Sequence, residues 1–196
     1  MIWGSEPSPT ALKARDLFRK QGVKSVLVPG SGYGRNTKVF SIEFETYGVE
    51  ITPAALEIAV KWDSKSHFER GSALDHRLKT QVDAIYCYDL IHLFMKEDRR
   101  RLVANCLQQL RPGGLLYFTC FSDEDPNNGR GRLIEPGTYE YKEGKYAHFF
   151  SENEISTHFT GTEILETGTY LENLQSPVSG THQYLLRTIV AKKKTE

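Results

Sequence analysis

The residues that most directly suggest chemistry are Gly30-Ser31-Gly32-Tyr33-Gly34, which follow a short β-branched run at residues 23–28 within KSVLVPGSGYGRN. A strand that runs into closely spaced glycines can turn sharply, and it leaves no Cβ between the chain and a ligand. A helix beginning just beyond would offer N–H groups that lack intrahelical partners to a polar or anionic group. In an open parallel sheet this turn falls at the topological switch point, where ligands bind. The spacing is G-x-G-x-G, whereas the dinucleotide fingerprint carries its third glycine one residue later. No GK[ST] follows, so a P-loop is excluded. Glu50 closes the next apolar run, and a carboxylate there can accept both hydroxyls of a ribose.

The elements that must position these residues alternate. Strands are expected at residues 23–28, 47–51, 67–70, 82–88 and 115–121. A helix-compatible stretch covers 35–45. A helix is expected after Pro53, with Thr52 as its N-cap. Residues 96–110 form an amphipathic helix, with Leu102, Val103, Cys106, Leu107 and Leu110 at spacings of three and four, stopped by Arg111-Pro112-Gly113-Gly114. Strand–helix alternation implies an α/β fold with a parallel, doubly wound sheet and right-handed crossovers. Residues 122–147, rich in Gly, Pro, Asp, Asn and Tyr, read as a long loop or small insertion, and 122–149 as a lid-like unit. A short helix over 151–158 has Ser151 and Glu154 as a capping box. Strands at 163–171 and 181–191, joined by 172–180, suggest an antiparallel hairpin at one edge. Residues 1–22 are expected to form an N-terminal helical cap, and the whole chain of 196 residues one domain.

Taken in order, GSGYG after an apolar strand, GVEITPAALEIA, FERGSALD, DAIYCYDLIHLF and LRPGGLLYFTCF resemble the motif series of class I S-adenosylmethionine-dependent methyltransferases. GYGRN and YAHFFSENEI further resemble the small tellurite-resistance-type members, and VLVPGSG the thiopurine and thiol methyltransferases. The resemblance implies a Rossmann-like seven-stranded sheet of order 3-2-1-4-5-7-6. It also implies S-adenosylmethionine as cofactor. Gly30, Ser31, Gly32 and Gly34 would line its methionine portion, Glu50 would hold the ribose hydroxyls, and Ile51 would lie against the adenine face. Ser72 and Ala73 match the place where the family touches the adenine edge. Tyr88 and Asp89 match the segment that meets the methionine amino end. Two positions depart from the family: Val28 stands where many members have an acid that anchors the cofactor's amine or the loop, and Ser72 where they often have Asp.

Methyl transfer from a sulfonium needs an aligned nucleophile and exclusion of water, and positioning alone supplies as much as roughly 7–11 kcal/mol. It needs no nucleophilic triad and no metal, and the histidines show no HxxxH-type spacing. A base is required only for a protonated acceptor. His92, after the fourth strand, is the candidate. Arg35, Tyr141, Tyr146 and His148 are candidate acceptor contacts, and Tyr139 and Phe149 would complete a lid. Lys plus Arg and Asp plus Glu stand at 25 each, so no basic excess points to nucleic acid. No apolar run reaches the roughly 20 residues of a membrane span. Three cysteines without a CxxC pair give no disulfide framework. The expectation is a cytoplasmic monomer or homodimer that methylates a small molecule, such as a thiol, selenium or tellurium species. Two readings stand beside it: a nicotinamide-dependent oxidoreductase, and a protein that binds the cofactor without catalysis.

Overall fold

In a computed structural model, which describes residues 4–176 and 180–195, the first helix, α1 (Pro9–Lys20), starts on Ser8, whose side chain accepts a hydrogen bond from Thr10 N. Ala11, Ala14 and Phe18 are buried on one stripe of this helix. They meet Val26, Val28 and Tyr86 on one face of the central sheet. Strand β1 (Ser25–Pro29) is buried along its whole length, as expected of a central parallel strand covered on both faces. Helix α2 (Thr37–Phe40) is only four residues long. The expected 35–45 segment breaks there because Glu43 N and Phe44 N both turn back to Phe40 O, and Glu45 N then bonds Lys24 O to begin β2 (Glu45–Glu50).

Helix α3 (Pro53–Trp62), β3 (His67–Arg70) and β4 (Val82–Cys87) follow. After one 3₁₀ turn, Ile91–Leu93, comes α4 (Lys96–Gln109), and β5 (Leu110–Phe121) starts with no intervening loop. Pairing jumps from Val82↔Leu110 to Ala84↔Leu115, so the expected helix-stop residues 111–114 form a bulge inside the strand. Gly113 has φ +75°, and a Cβ on Gly114 would press to 2.8 Å from Asp83 O.

Three short strands replace the loop expected at 122–147: β6 (Arg132–Glu135), β7 (Thr138–Lys142) and β8 (Lys145–His148) form a separate antiparallel sheet of order β6-β7-β8. Its Gly and Pro residues are hairpin turns. Pro136-Gly137 and Glu143-Gly144 each join neighbouring strands, with Gly137 at φ +75° and Gly144 at +67°. Buried Arg99 of α4 fixes this sheet by donating through Nη1 to Phe94 O and Glu135 Oε1, both at 2.8 Å. Helix α5 (Glu152–Thr157) is capped by Ser151 Oγ, which accepts from Glu154 N. The expected capping box is only half formed, because the Glu154 carboxylate turns to His148 Nε2 at 2.8 Å.

Strands β9 (Thr162–Ser176) and β10 (Gly180–Lys193) are longer than expected and antiparallel; β10 also runs antiparallel to β5. The large sheet has order β3-β2-β1-β4-β5-β10-β9. This is the expected order once the small sheet's strands are counted. Leu27, Ile85, Leu116 and Ile189 face α4 and α5 on the second face. All three cysteines are free and buried.

Candidate active site

Three glycines shape the turn after β1, each for its own reason. All have positive φ: Gly30 +65°, Gly32 +56° and Gly34 +83°. A Cβ at Gly30 would meet Leu90 at 2.9 Å, and one at Gly34 would meet Ala59 of α3 at 3.2 Å. At Gly32 nothing among the described residues lies within 4 Å of such a Cβ, so this peptide borders open space. Ser31 N donates to Val49 O at 3.0 Å, tying the turn to β2. Glu50, at the end of β2, closes the arrangement: Oε2 accepts from Gly32 N at 3.0 Å and Oε1 from Thr52 N at 2.8 Å. Thr52 is the N-cap of α3, but its own side chain makes no capping bond; the carboxylate two residues earlier engages its amide instead.

The space beside Gly32 is a cavity of about 510 Å³ above the carboxyl ends of the parallel strands. That size is in the range of small-molecule sites. Its floor is the glycine turn with Arg35 and Asn36. One wall is the segment after β4, and the roof comes from the small sheet and the β9–β10 hairpin. His92 is 2% exposed. Its ring stacks on Phe121, with centroids 3.7 Å apart and planes 14° apart. Phe121 in turn stacks on Tyr184 and Phe149 at 5.2 and 5.6 Å. Nδ1 of His92 is buried with no hydrogen-bond partner among the described residues. Burial, reinforced by nearby His148, holds its pKa down to about 3, so the imidazole is neutral at ordinary pH.

The segment after β4 is the polar wall. Asp89 has φ +47°, unusual for a residue with a side chain. Its N donates to Thr119 Oγ1 at 2.9 Å, and Thr119 Oγ1 donates to its Oδ1 at 2.6 Å. Burial first, and repulsion from Glu172 second, push its pKa up to about 7. Tyr88 OH donates to Glu172 Oε2 at 2.8 Å, and the Arg35 guanidinium lies 5.4 Å from the Tyr88 ring centre.

The structure therefore gathers Gly30, Ser31, Gly32, Arg35, Tyr88, Asp89, His92, Tyr141 and Phe149 around one cavity. Gly34 stands against α3 rather than on the lining. Glu50, Ile51, Ser72 and Ala73 are not on the lining and stand at or just beyond the ends of β2 and β3; Ile51 is 62% exposed, and Ser72 Oγ accepts from Leu74 N. Tyr139 and Tyr146 are not on the lining. His148 is not brought to the acceptor space: it is fully buried, with Nδ1 on Thr138 Oγ1 at 2.7 Å and Nε2 on Glu154. Its place is in the Arg99–Glu135–Thr138 network that anchors the small sheet. Sequence reasoning missed Phe121, Tyr184, Leu174, Asn127 and Arg130 on the lining. It also missed Glu172, whose signal was an acid between Tyr170 and Leu174 on the inward-facing alternation of a strand.

Residues 27–118 match the family described as a methyltransferase domain. The tRNA N(3)-methylcytidine methyltransferase Mettl2 of Drosophila melanogaster is 27% identical over 167 residues, covering 79% of this chain and 50% of that protein. The chain thus spans about half the length of this curated relative. Among solved structures, one described for the conversion of a disulfide bond into a thioacetal group during echinomycin biosynthesis superposes with a TM-score of 0.77 at 19% identity, over 99% of this chain and 84% of that one. TehB from Haemophilus influenzae superposes with a TM-score of 0.69 at 17% identity, over 91% and 60%. Both share the fold.

Proposed function

We propose that this chain, whose residues 27–118 match a methyltransferase domain, is a class I S-adenosylmethionine-dependent methyltransferase that transfers a methyl group to a small-molecule acceptor held in the cavity beside Gly32. The observation that carries this reading is one continuous space with bare peptide at Gly32 on its floor and the His92 ring, whose buried Nδ1 has no hydrogen-bond partner among the described residues, in its wall. The residues fit the cofactor. The Gly30–Gly32 backbone would border its amino-acid tail, and Ser31 Oγ, buried with no partner, has hydrogen-bonding capacity to spare. The Glu50 carboxylate would hold the ribose hydroxyls, with Ile51, Ser72 and Ala73 about the adenine. When bound, the cofactor supplies a methyl group activated by its sulfonium sulfur.

The chain's own residues do the rest. Phe121, Phe149 and Tyr184 present a stacked apolar wall that excludes water and suits a flat or polarisable acceptor. Neutral His92 offers Nδ1 as a hydrogen-bond acceptor to a protonated nucleophile, fixing its direction of approach. A thiol or selenol that enters already ionised would need only that positioning. The enclosed aromatic wall and the zero net charge support a small acceptor. The relative's name brings in a nucleic-acid acceptor, which the assay must include.

The test is a methyl-release assay with S-adenosylmethionine over thiols, selenols, tellurite, planar nitrogen heterocycles and tRNA. Turnover on any small molecule supports the reading. Turnover on tRNA alone overturns the acceptor class, and S-adenosylhomocysteine binding with no turnover anywhere overturns the activity.

A further inference from the structure

We propose that Glu172, on β9 far along the chain, supplies the carboxylate that receives the α-ammonium of the cofactor's amino-acid tail, standing in for the acid absent at Val28. The assignment rests on the cofactor reading above and adds a residue and a strand to it. Val28 is 1% exposed and packed in the apolar cluster under α1, so β1 offers the tail no charge. Glu172 is equally buried, yet among the described residues only one of its oxygens is satisfied: Oε2 takes the Tyr88 hydroxyl, and Oε1 has no partner there. Leaving a buried carboxylate oxygen bare is costly. Such a group persists where a ligand completes it.

Strand register sets its direction. Glu172 pairs directly with Tyr184 across β9 and β10, and His182 pairs with Leu174. Directly paired residues share a face, and alternate residues return to it. Tyr184 and Leu174 both line the cavity, as does Tyr88, the partner of Glu172. Glu172 therefore shares the strand face of Leu174 and Tyr184 and stands behind Tyr88, one layer back from the lining.

The surrounding charges match an amino-acid zwitterion. Asp89 and Glu172 repel one another, and burial disfavours the charged form of each. The Ser8 hydroxyl and the Arg35 guanidinium favour charged Glu172, but neither hydrogen-bonds Oε1. A three-donor ammonium between the two acids would fill Oε1 and remove their repulsion. Arg35, on the same floor, suits the tail's carboxylate.

The test compares the wild type with Glu172→Gln by calorimetric titration of two probes. S-adenosylhomocysteine carries the amino-acid tail, and 5′-methylthioadenosine is the same thioether nucleoside without it. The variant keeps an oxygen for Tyr88 OH and removes a buried charge, so its melting temperature should hold or rise. We expect S-adenosylhomocysteine to bind at least tenfold more weakly and methylthioadenosine to change by less than twofold. Unchanged S-adenosylhomocysteine affinity overturns the assignment and leaves the ammonium site, if any, to the acceptor. Equal loss of both probes overturns it in favour of a purely structural carboxylate. A wild type that binds neither probe fails the cofactor reading itself, and this assignment with it.

Discussion

Replacing Glu50 by alanine should have two separable effects, because its carboxylate ties the glycine turn to α3 and, in the proposed function, also holds the ribose. Its two oxygens accept from Gly32 N at 3.0 Å and Thr52 N at 2.8 Å, joining the glycine turn to the start of α3. Hydrogen bonds to a charged group are worth roughly 1.5–3 kcal/mol when buried, but Glu50 is only half-buried and water can replace it at both amides. The stability cost is therefore about 1 kcal/mol, a fall in Tm of roughly 2–4 °C for a chain of this size. A carboxylate has about four lone-pair sites, so the two amides leave room for two ribose hydroxyls. Losing a charged partner for those hydroxyls should weaken S-adenosylhomocysteine by a further ~1–3 kcal/mol, roughly 5- to 150-fold. Titration calorimetry on Glu50→Ala and Glu50→Gln, with melting curves for both, separates the terms. The glutamine variant keeps one good acceptor and should lie between the wild type and alanine in both readouts. A lowered Tm with affinity unchanged within twofold would refute the ribose role and leave Glu50 as a staple of the turn.

Other expectations follow from the same geometry. His92 is held neutral with a pKa of about 3 against an ordinary 6.5; the unfolded chain takes a proton that the folded chain refuses, so stability is lost as pH falls below 6.5, by about 2 kcal/mol at pH 5. His92→Phe should therefore melt less steeply with acid, and a melting profile over pH 5–8 parallel to the wild type would contradict this. Gly32→Val should abolish S-adenosylhomocysteine binding with a modest loss of stability, because its side chain enters the cavity from a strained φ of +56°. Gly34→Ala should chiefly lower Tm by pressing on Ala59 at 3.2 Å; the reverse ranking in calorimetry and melting would remove Gly32 from the site. Arg99→Ala strips the Glu135–Thr138 network of its buried cation and should cost about 2–4 kcal/mol, with amide exchange rising first in Thr138–Lys142; uniform exchange across the large sheet would show that the small sheet is anchored otherwise.

What the sequence disclosed and what it withheld divide along a physical line. The turn after β1, Glu50 and the segment after β4 are neighbours of strands whose apolar runs are readable one at a time. Their meeting follows from parallel, right-handed connectivity alone. The small sheet escaped because its strands are four or five residues long and its hairpin turns, Pro136-Gly137 and Glu143-Gly144, carry the composition of a loop. Phe121, Tyr184 and Glu172 escaped for a different reason. Tyr184 reaches the cavity, and Glu172 meets Tyr88, only through the antiparallel register of β5, β10 and β9, which local periodicity does not encode. That register contains a shift between Val190 and Ala191, where Leu165 is the extra residue on β9. Because side chains alternate strictly, one inserted residue moves every later side chain to the other face. Held in the 162–164 register, the strand would carry Glu172 away from Tyr88 and put Leu171 and Asn173 on the cavity face. The bulge at Leu165 therefore decides which residue meets Tyr88, from a position with no chemistry of its own.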